Sequence, residues 1–495
     1  MCGIAGTIGL KDDRALIRML DAQKHRGPDG RDILRRPDCK FFLGHDRLAI
    51  IDVEGGKQPI PNEDKTLWVV VNGEIYNHRE IRDRLNGRHT FRTESDSEVV
   101  LHLFEEEGPE LVHHLTGMFA IAVWGERAGL YLARDPVGIK PLYYGCDVGG
   151  NFYFSSEIKA LAPEVLSVTE LLNGHYLVHG GRPVQYYSIP PPRPEITNEE
   201  DAIHAIDRLL HKAVQKRLMA DVPLGVFLSG GLDSSLIAAI TRGFVTGELH
   251  SFSVGLEGSP DIENARMVAQ YLGTTHHEHV LTPSKIMAVL PEVVVALESF
   301  DPALVRSAIP TFFVSQLAAK HVKVALSGEG ADEVFAGYEY LQAYVPDWDA
   351  LSKELHLITR SLHNSNLQRV DRMTMVHGLE GRVPFLDVDL IDLAFRIHPA
   401  LKWQEGGKWV LRKVGEKYLP ASIAWRRKEK FATGTGIGPL LGKYAADHVS
   451  DDFVDSMKGL KYQVSSKEEY LYWTYFKDRY GREDIVQAMG RSRSL

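Results

Sequence analysis

Short apolar runs broken by turn residues fill the first third of the chain. "LWVVVNGEIYN" (67–77), "FAIAVWGE" (119–126), "LYLARD" (130–135) and "NFYFSSE" (151–157) alternate or cluster apolar side chains as strands do. "CGIAGTIGL" (2–10) fits a first strand. The pattern changes at "YYSIPPPRPEITNEEDA" (186–202), where Pro190, Pro191, Pro192 and Pro194 cannot continue a helix or a central strand. Thr197 and Glu200 predict a capping box for the helix that follows. The boundary is therefore placed at 187–198, dividing residues 1–190 from 198–495. Beyond it, strands alternate with helices: "DVPLGVFL" (221–228), "LHSFSVGL" (249–256), "HHEHVL" (276–281) and "VKVAL" (322–326), with helical "LIAAITRGF" (236–244), "DIENARMVAQYLG" (261–273) and Pro283 to Glu298 between them. That alternation predicts a doubly wound parallel sheet, with ligands beyond the carboxyl ends of its strands. The last ~25 residues read as a loosely held tail.

At 495 residues the chain exceeds one core, which agrees with two domains. The content is 44% apolar and 25% charged, that of an ordinary globular protein. The net charge of -9 argues against general nucleic-acid binding. Cys2, Cys39 and Cys146 form no CxxC pair, so a reducing, cytoplasmic compartment is expected. No apolar run reaches membrane length, and no membrane partner is expected. "THHEHV" (275–280) lacks a metal-ligand spacing and reads as structural, because a strand sends neighbouring side chains to opposite faces.

Two glycine-rich loops fall at predicted strand ends. Ser229-Gly230-Gly231-Leu232-Asp233-Ser234-Ser235 joins a strand to a helix. Its glycines let the backbone aim N–H groups at an anion, and the helix start adds its dipole. Asp233 would repel a phosphate, so a Mg2+ ion is implied between them. No GxxxxGK[ST] is present: the Gly-Lys pairs at 56–57, 407–408 and 442–443 lack the rest of that motif.

The SGGxDS loop resembles that of the PP-loop ATP pyrophosphatases, which cleave ATP between the α and β phosphates and adenylate an acyl group. The resemblance implies ATP contacts from Phe227, Leu228, Ser229, Gly230, Gly231, Asp233, Ser234, Ser235, Val254, Ser327 and Gly328. It implies that Asp332 joins Asp233 in holding Mg2+ and that Glu329 is a candidate general base at the acyl group.

"MCGIAG" places Cys2 directly after Met1. With Met1 removed, Cys2 would carry a thiol and an α-amine that titrates near neutrality and can serve as its base. "HRGPDG" (25–30), "HDRLAIID" (45–52), "NGEIYN" (72–77), "RTESDSEV" (92–99) and "ARDPVGIKPLYY" (133–144) resemble class II glutamine amidotransferases. The resemblance implies an amino-terminal-nucleophile αββα domain in which Cys2 attacks the glutamine amide. Arg47 then meets the glutamine α-carboxylate, Ile51 lines the pocket by its backbone, Asn72 and Gly73 donate to the oxyanion, and Glu74 and Asp96 receive the α-ammonium.

Taken whole, the chain resembles the glutamine-hydrolysing asparagine synthetase family, supported in its second half by "GLEGRVPFLD" (378–387), "LPASIAWRRKEKF" (419–431) and "SSKEEYLYW" (465–473). This implies a two-domain α/β and α+β fold, with glutamine, aspartate and ATP as substrates and a homodimer as the family expectation. Lys428 corresponds to a lysine that neutralises departing phosphate, and Arg306 and Arg382 to acceptor-binding positions. Ala303-Leu304 stands where known members carry Thr-Thr. The missing hydroxyls leave a second acceptor class open at this point: a peptide, a sugar acid or another carboxylate.

Overall fold

The computed structural model describes residues 2–427, 434–453 and 464–492. Strands β1 Cys2–Ile8, β2 Gly30–Arg36, β3 Phe41–Arg47, β4 Ile60–Pro61, β5 Leu67–Ile75 and β6 Gly117–Gly125 are followed by β7 Gly129–Arg134, β8 Tyr143–Cys146, β9 Phe152–Ser155, β10 Thr169–Glu170, β11 His175–Val178 and β12 Val184–Gln185. They form two six-stranded sheets, ordered β10-β8-β9-β1-β3-β2 and β12-β11-β7-β6-β5-β4. The period of two explains the layering. Val70, Ala120, Ala122 and Trp124 face the other sheet and pack with Ile4, Phe41 and Leu43. Their chain neighbours Val69, Val71, Phe119, Ile121 and Val123 face outward onto helices α2 (His78–Leu85) and α3 (Glu98–Glu107). On the far side of the first sheet, Ala5 and Phe42 meet Leu16, Met19 and Leu20 of α1 (Arg14–Gln23) and Leu161 of α4 (Ile158–Leu161). The result is the expected αββα stack.

The second domain carries β13 Leu224–Phe227, β14 His250–Leu256, β15 Thr275–Leu281, β16 Val324–Leu326 and β17 Glu380–Arg382, all parallel, in the order β15-β14-β13-β16-β17. Helices α5 (Glu199–Lys216), α6 (Leu232–Phe244) and α7 (Pro260–Leu272) pack on one face, and α8 (Pro283–Leu297) and α9 (Pro302–Ala318) on the other. The strand order reverses between β13 and β16, and a crevice opens where their connections diverge.

Three local expectations change. The cap of α5 is Asn198, whose side chain accepts the Asp201 N–H at 3.0 Å, one residue beyond the expected Thr197. The fifth strand β17 went unpredicted: it spans only three residues and borrows its order from β16. The expected loose tail is docked. Helix Lys467–Tyr480 buries Tyr472, Phe476 and Tyr480, Tyr480 donates to the Val295 carbonyl, and the Ser492 N–H reaches Asp301. "THHEHV" is structural as expected, with His276 bonded between Ser251 and Ser253.

Candidate active site

The antiparallel register of β1 and β3 sets Arg47 directly opposite Cys2. Cys2 is buried, and its backbone N–H donates to Asn72 Oδ1 at 3.1 Å. That bond uses the carbonyl end of Asn72 and leaves its amide Nδ2, also buried, with no hydrogen-bond partner among the described residues. A buried unpaired donor costs about 1–3 kcal/mol unless a ligand completes it, so Asn72 is built to receive an oxygen. Gly73 follows at φ +149°, where an added Cβ would sit 1.9 Å from the Met118 carbonyl; only glycine fits. Burial pushes the Cys2 thiol up, so forming a thiolate needs a base held beside it.

Arg47 donates to the carbonyls of Val53 (2.7 Å), Asp52 (2.6 Å) and Ile51 (3.3 Å), which fixes its guanidinium and places Ile51 in the same pocket by its backbone. Glu74 and Asp96 are both buried, and burial pushes both carboxyls up. Asp96 accepts the Ile75 N–H at 2.6 Å. Glu74 faces Arg382 at 3.7 Å.

The crevice of the second domain is a cavity of about 1120 Å3 including its mouth. Phe227, Leu228, Ser229, Gly231, Asp233, Ser234, Val254, Ser327, Gly328, Glu329 and Asp332 all line it. Ser229 Oγ and Ser234 Oγ meet at 3.0 Å across the first loop. The second loop presses against it: a Cβ on Gly328 would lie 2.8 Å from the Ser234 nitrogen. Asp233 and Asp332 converge on one ammonium, that of Lys408, at 2.5 Å from Asp233 Oδ2 and in a short contact with Asp332. Two carboxylates gathered on one cation beside a cradle of N–H groups are a donor set that fits Mg2+.

Gly230 and Ser235 do not line the cavity. Gly230 lies against α7 at Asn264, and Ser235 is fully buried on the inner face of α6. Arg306 is not brought to it either; both its Nε and Nη2 are committed to Glu468 of helix Lys467–Tyr480. Arg382 stands elsewhere. It is fully buried, donates to Glu380 (2.5 Å) and to the carbonyls of Arg217 and Met219 (2.7 Å each), and points toward Glu74 of the first domain. Glu380 and Arg382 share one face of β17, and that face looks into the domain junction. Lys428 lies outside the described residues. Ala303 is exposed and Leu304 sits in the core; the residues of α9 that reach the cavity are Thr311 and Val314.

Sequence reasoning missed Lys408 and Arg369. Lys408 belongs to a Gly-Lys pair set aside for lacking a phosphate-loop frame, and its partners lie 175 and 76 residues away in the chain. Arg369, 4% exposed, grips Glu329 at 2.6 Å and touches Thr311 at 3.3 Å. Neither residue carries a local signal; only the fold gathers them.

Residues 1–179 match the glutamine amidotransferase domain family, and residues 205–348 and 341–490 match the asparagine synthase family. The chain is 37% identical to the probable asparagine synthetase [glutamine-hydrolyzing] of Dictyostelium discoideum, over 99% of this chain and 96% of that one. It is 38% identical to asparagine synthetase B [glutamine-hydrolyzing] of Escherichia coli strain K12, over 97% and 91%. It is 39% identical to the asparagine synthetase [glutamine-hydrolyzing] of Sandersonia aurantiaca, over 96% of each.

Proposed function

Because the chain belongs to the glutamine-hydrolysing asparagine synthetase family, we propose that it makes asparagine from aspartate, using glutamine as nitrogen donor and ATP as activator. The observation that carries the coupling is Arg382. Its carbonyl accepts the Ser327 N–H of the nucleotide loop at 2.8 Å, while its guanidinium faces Glu74 of the glutamine pocket. One buried residue thus meets both sites, by its backbone on one side and its guanidinium on the other.

In the first pocket Cys2 adds to the glutamine side-chain carbonyl, and its proton passes to the α-amine freed by removal of Met1. Asn72 Nδ2 holds the oxyanion. Ammonia leaves as the thioester forms, and water then releases glutamate and restores the thiol. Arg47 orients the substrate α-carboxylate; Glu74 and Asp96 take its ammonium.

In the second cavity the aspartate β-carboxylate attacks the α-phosphorus of ATP, and pyrophosphate departs. Asp233 and Asp332 would hold a magnesium ion, which spreads the negative charge of the departing phosphates. Lys408 pairs with the same two carboxylates and would add positive charge for the phosphates. Val254 and Phe252 wall the base pocket. Ammonia attacks the β-aspartyl-AMP carbonyl, AMP leaves, and Glu329, released from Arg369, accepts the surplus proton. Water exclusion matters here, since the acyl adenylate hydrolyses if exposed. The free thiols Cys2, Cys39 and Cys146 suit a cytoplasmic setting.

The test is AMP formation with ATP, Mg2+ and glutamine, with and without aspartate. AMP that rises with aspartate and matches asparagine supports the reading. AMP release indifferent to aspartate sinks it.

A further inference from the structure

On the outer layer of the first domain, away from both pockets, four side chains from three segments meet. Glu63 comes from the turn after β4, His89 from the connection after α2, and His102 and Glu105 from one face of α3. Their ligand atoms all lie within 4.8 Å of one another. We propose that Glu63, His89, His102 and Glu105 form a tetrahedral binding site for a zinc ion.

The distances argue for it. Zinc bonds of 2.0–2.2 Å to nitrogen and carboxylate oxygen give a tetrahedron with edges of about 3.4 Å. His89 Nδ1 lies 3.3 Å from Glu63 Oε1 and 3.6 Å from Glu105 Oε2. His102 Nδ1 lies 3.7 Å from Glu63 Oε2 and 2.9 Å from Glu105 Oε2. The two edges that share Glu105 Oε2, 3.6 and 2.9 Å, straddle the ideal value, Glu63 turns one carboxylate oxygen to each imidazole, and both imidazoles offer the same ring nitrogen to the centre.

Beyond the four candidate ligands stand further carboxylates. Each imidazole turns its second nitrogen toward a further carboxylate: His89 Nε2 to Glu106 at 3.1 Å and His102 Nε2 to Glu98 at 3.6 Å. Such outer carboxylates fix the tautomer and raise the basicity of a ligating imidazole. The ligating carboxylates are themselves held, Glu105 by Asn62 Nδ2 at 2.8 Å and Glu63 by the Thr90 N–H at 2.9 Å. The His102 side chain is fully buried and His89 is mostly covered, so little reorganisation is needed. Two nitrogens and two carboxylates in a tetrahedron select zinc over magnesium or calcium, which demand six or more oxygens.

The ion would have a structural task. It would tie the turn at 62–66 and the connection at 86–97 to α3. The connection ends at Asp96 in the glutamine pocket, and Arg92 and Thr93 along it already donate their N–H groups to Glu98.

The experiment titrates zinc into the full-length, chelator-treated protein against a chromophoric chelator, and repeats it with His89→Ala and Glu105→Gln. Cobalt serves as an optical probe of coordination geometry. One equivalent of tight zinc, tetrahedral cobalt absorption, a zinc-dependent rise in melting temperature, and at least a ~10–100-fold loss of affinity in both variants are expected. Retained glutamine hydrolysis by the variants shows that they fold. Zinc binding that is absent in the wild type, or unchanged in either folded variant, overturns the proposal.

Discussion

Arg26 and Asp371, 345 residues apart, meet through two parallel hydrogen bonds of 2.8 and 3.0 Å, and water reaches neither side chain. Arg26 also donates to Glu157 at 2.8 Å and, through Nε, to the Cys2 carbonyl at 3.1 Å. Asp371 is bonded in turn to Arg372, which reaches Glu298 at 2.8 Å. The domain junction is therefore a buried chain of alternating charges that begins at the nucleophile's own backbone.

Cutting that chain should cost far more than a surface pair. Asp371→Ala removes the carboxylate that Arg26 and Arg372 share and leaves each with one remaining partner, Glu157 and Glu298, and a broken buried pair typically loses about 3–5 kcal/mol. Urea unfolding should register a loss of about that size. Glutamine hydrolysis should fall with it, because Arg26 no longer fixes the Cys2 carbonyl. A variant of wild-type stability would show that the junction contributes nothing to the fold.

Separate chemistry at the two sites predicts separable defects. Cys2→Ala should abolish glutamine-dependent asparagine formation and leave synthesis from added ammonia intact. Asn72→Ala should lower the rate of glutamine hydrolysis about 10²–10³-fold, the usual cost of one oxyanion donor, with ammonia-dependent synthesis again preserved. Loss of ammonia-dependent activity in Cys2→Ala would contradict two independent centres.

Lys408 makes the reciprocal prediction. With Lys408→Met, Asp233 and Asp332 lose their common cation, so MgATP use should fail with either nitrogen source. Glutamine hydrolysis should persist, since the ion pairs of Lys408 are with Asp233 and Asp332 of the second domain. Assaying glutamate and AMP side by side checks both halves. Normal AMP formation would remove Lys408 from the site.

These contrasts mark what was legible in the chain. Strands β1, β5, β6, β7, β9 and β13 to β16 declared themselves because their apolar patterning is local, and the two glycine loops because a phosphate cradle is contiguous in sequence. Cys2, Asn72 and Arg47 could be gathered through short motifs. Lys408, Arg369 and the metal-like cluster at His102 could not, because each depends on partners brought in from elsewhere in the fold. Arg382, expected at the acceptor, lies instead against Glu380 and Glu74 at the domain junction. "GLEGRVPFLD" gives no hint that a three-residue strand turns its charged face toward the other domain. The tail misled because Tyr472, Phe476 and Tyr480 are spaced as a helix face, yet the terminal "GRSRSL" suggested disorder.

Glu333 provides a pH test whose sign can be worked out. Burial, reinforced by the neighbouring Asp332, pushes its carboxyl up to about 7, although the Tyr338 hydroxyl bonds it and pulls the other way. In the unfolded chain a glutamate titrates near 4.3–4.5. Between those values the native state binds the proton more than the unfolded state does, so stability falls as pH rises. The contribution is complete below about pH 4.5 and is gone above about pH 7. Glu333→Gln keeps a carbonyl for Tyr338 and Asn366 and cannot ionise. Urea midpoints measured for both proteins across that window should converge at the acid end and separate toward pH 8, with the variant the more stable. Parallel curves would mean that Glu333 titrates normally and that its burial beside Asp332 carries no electrostatic cost.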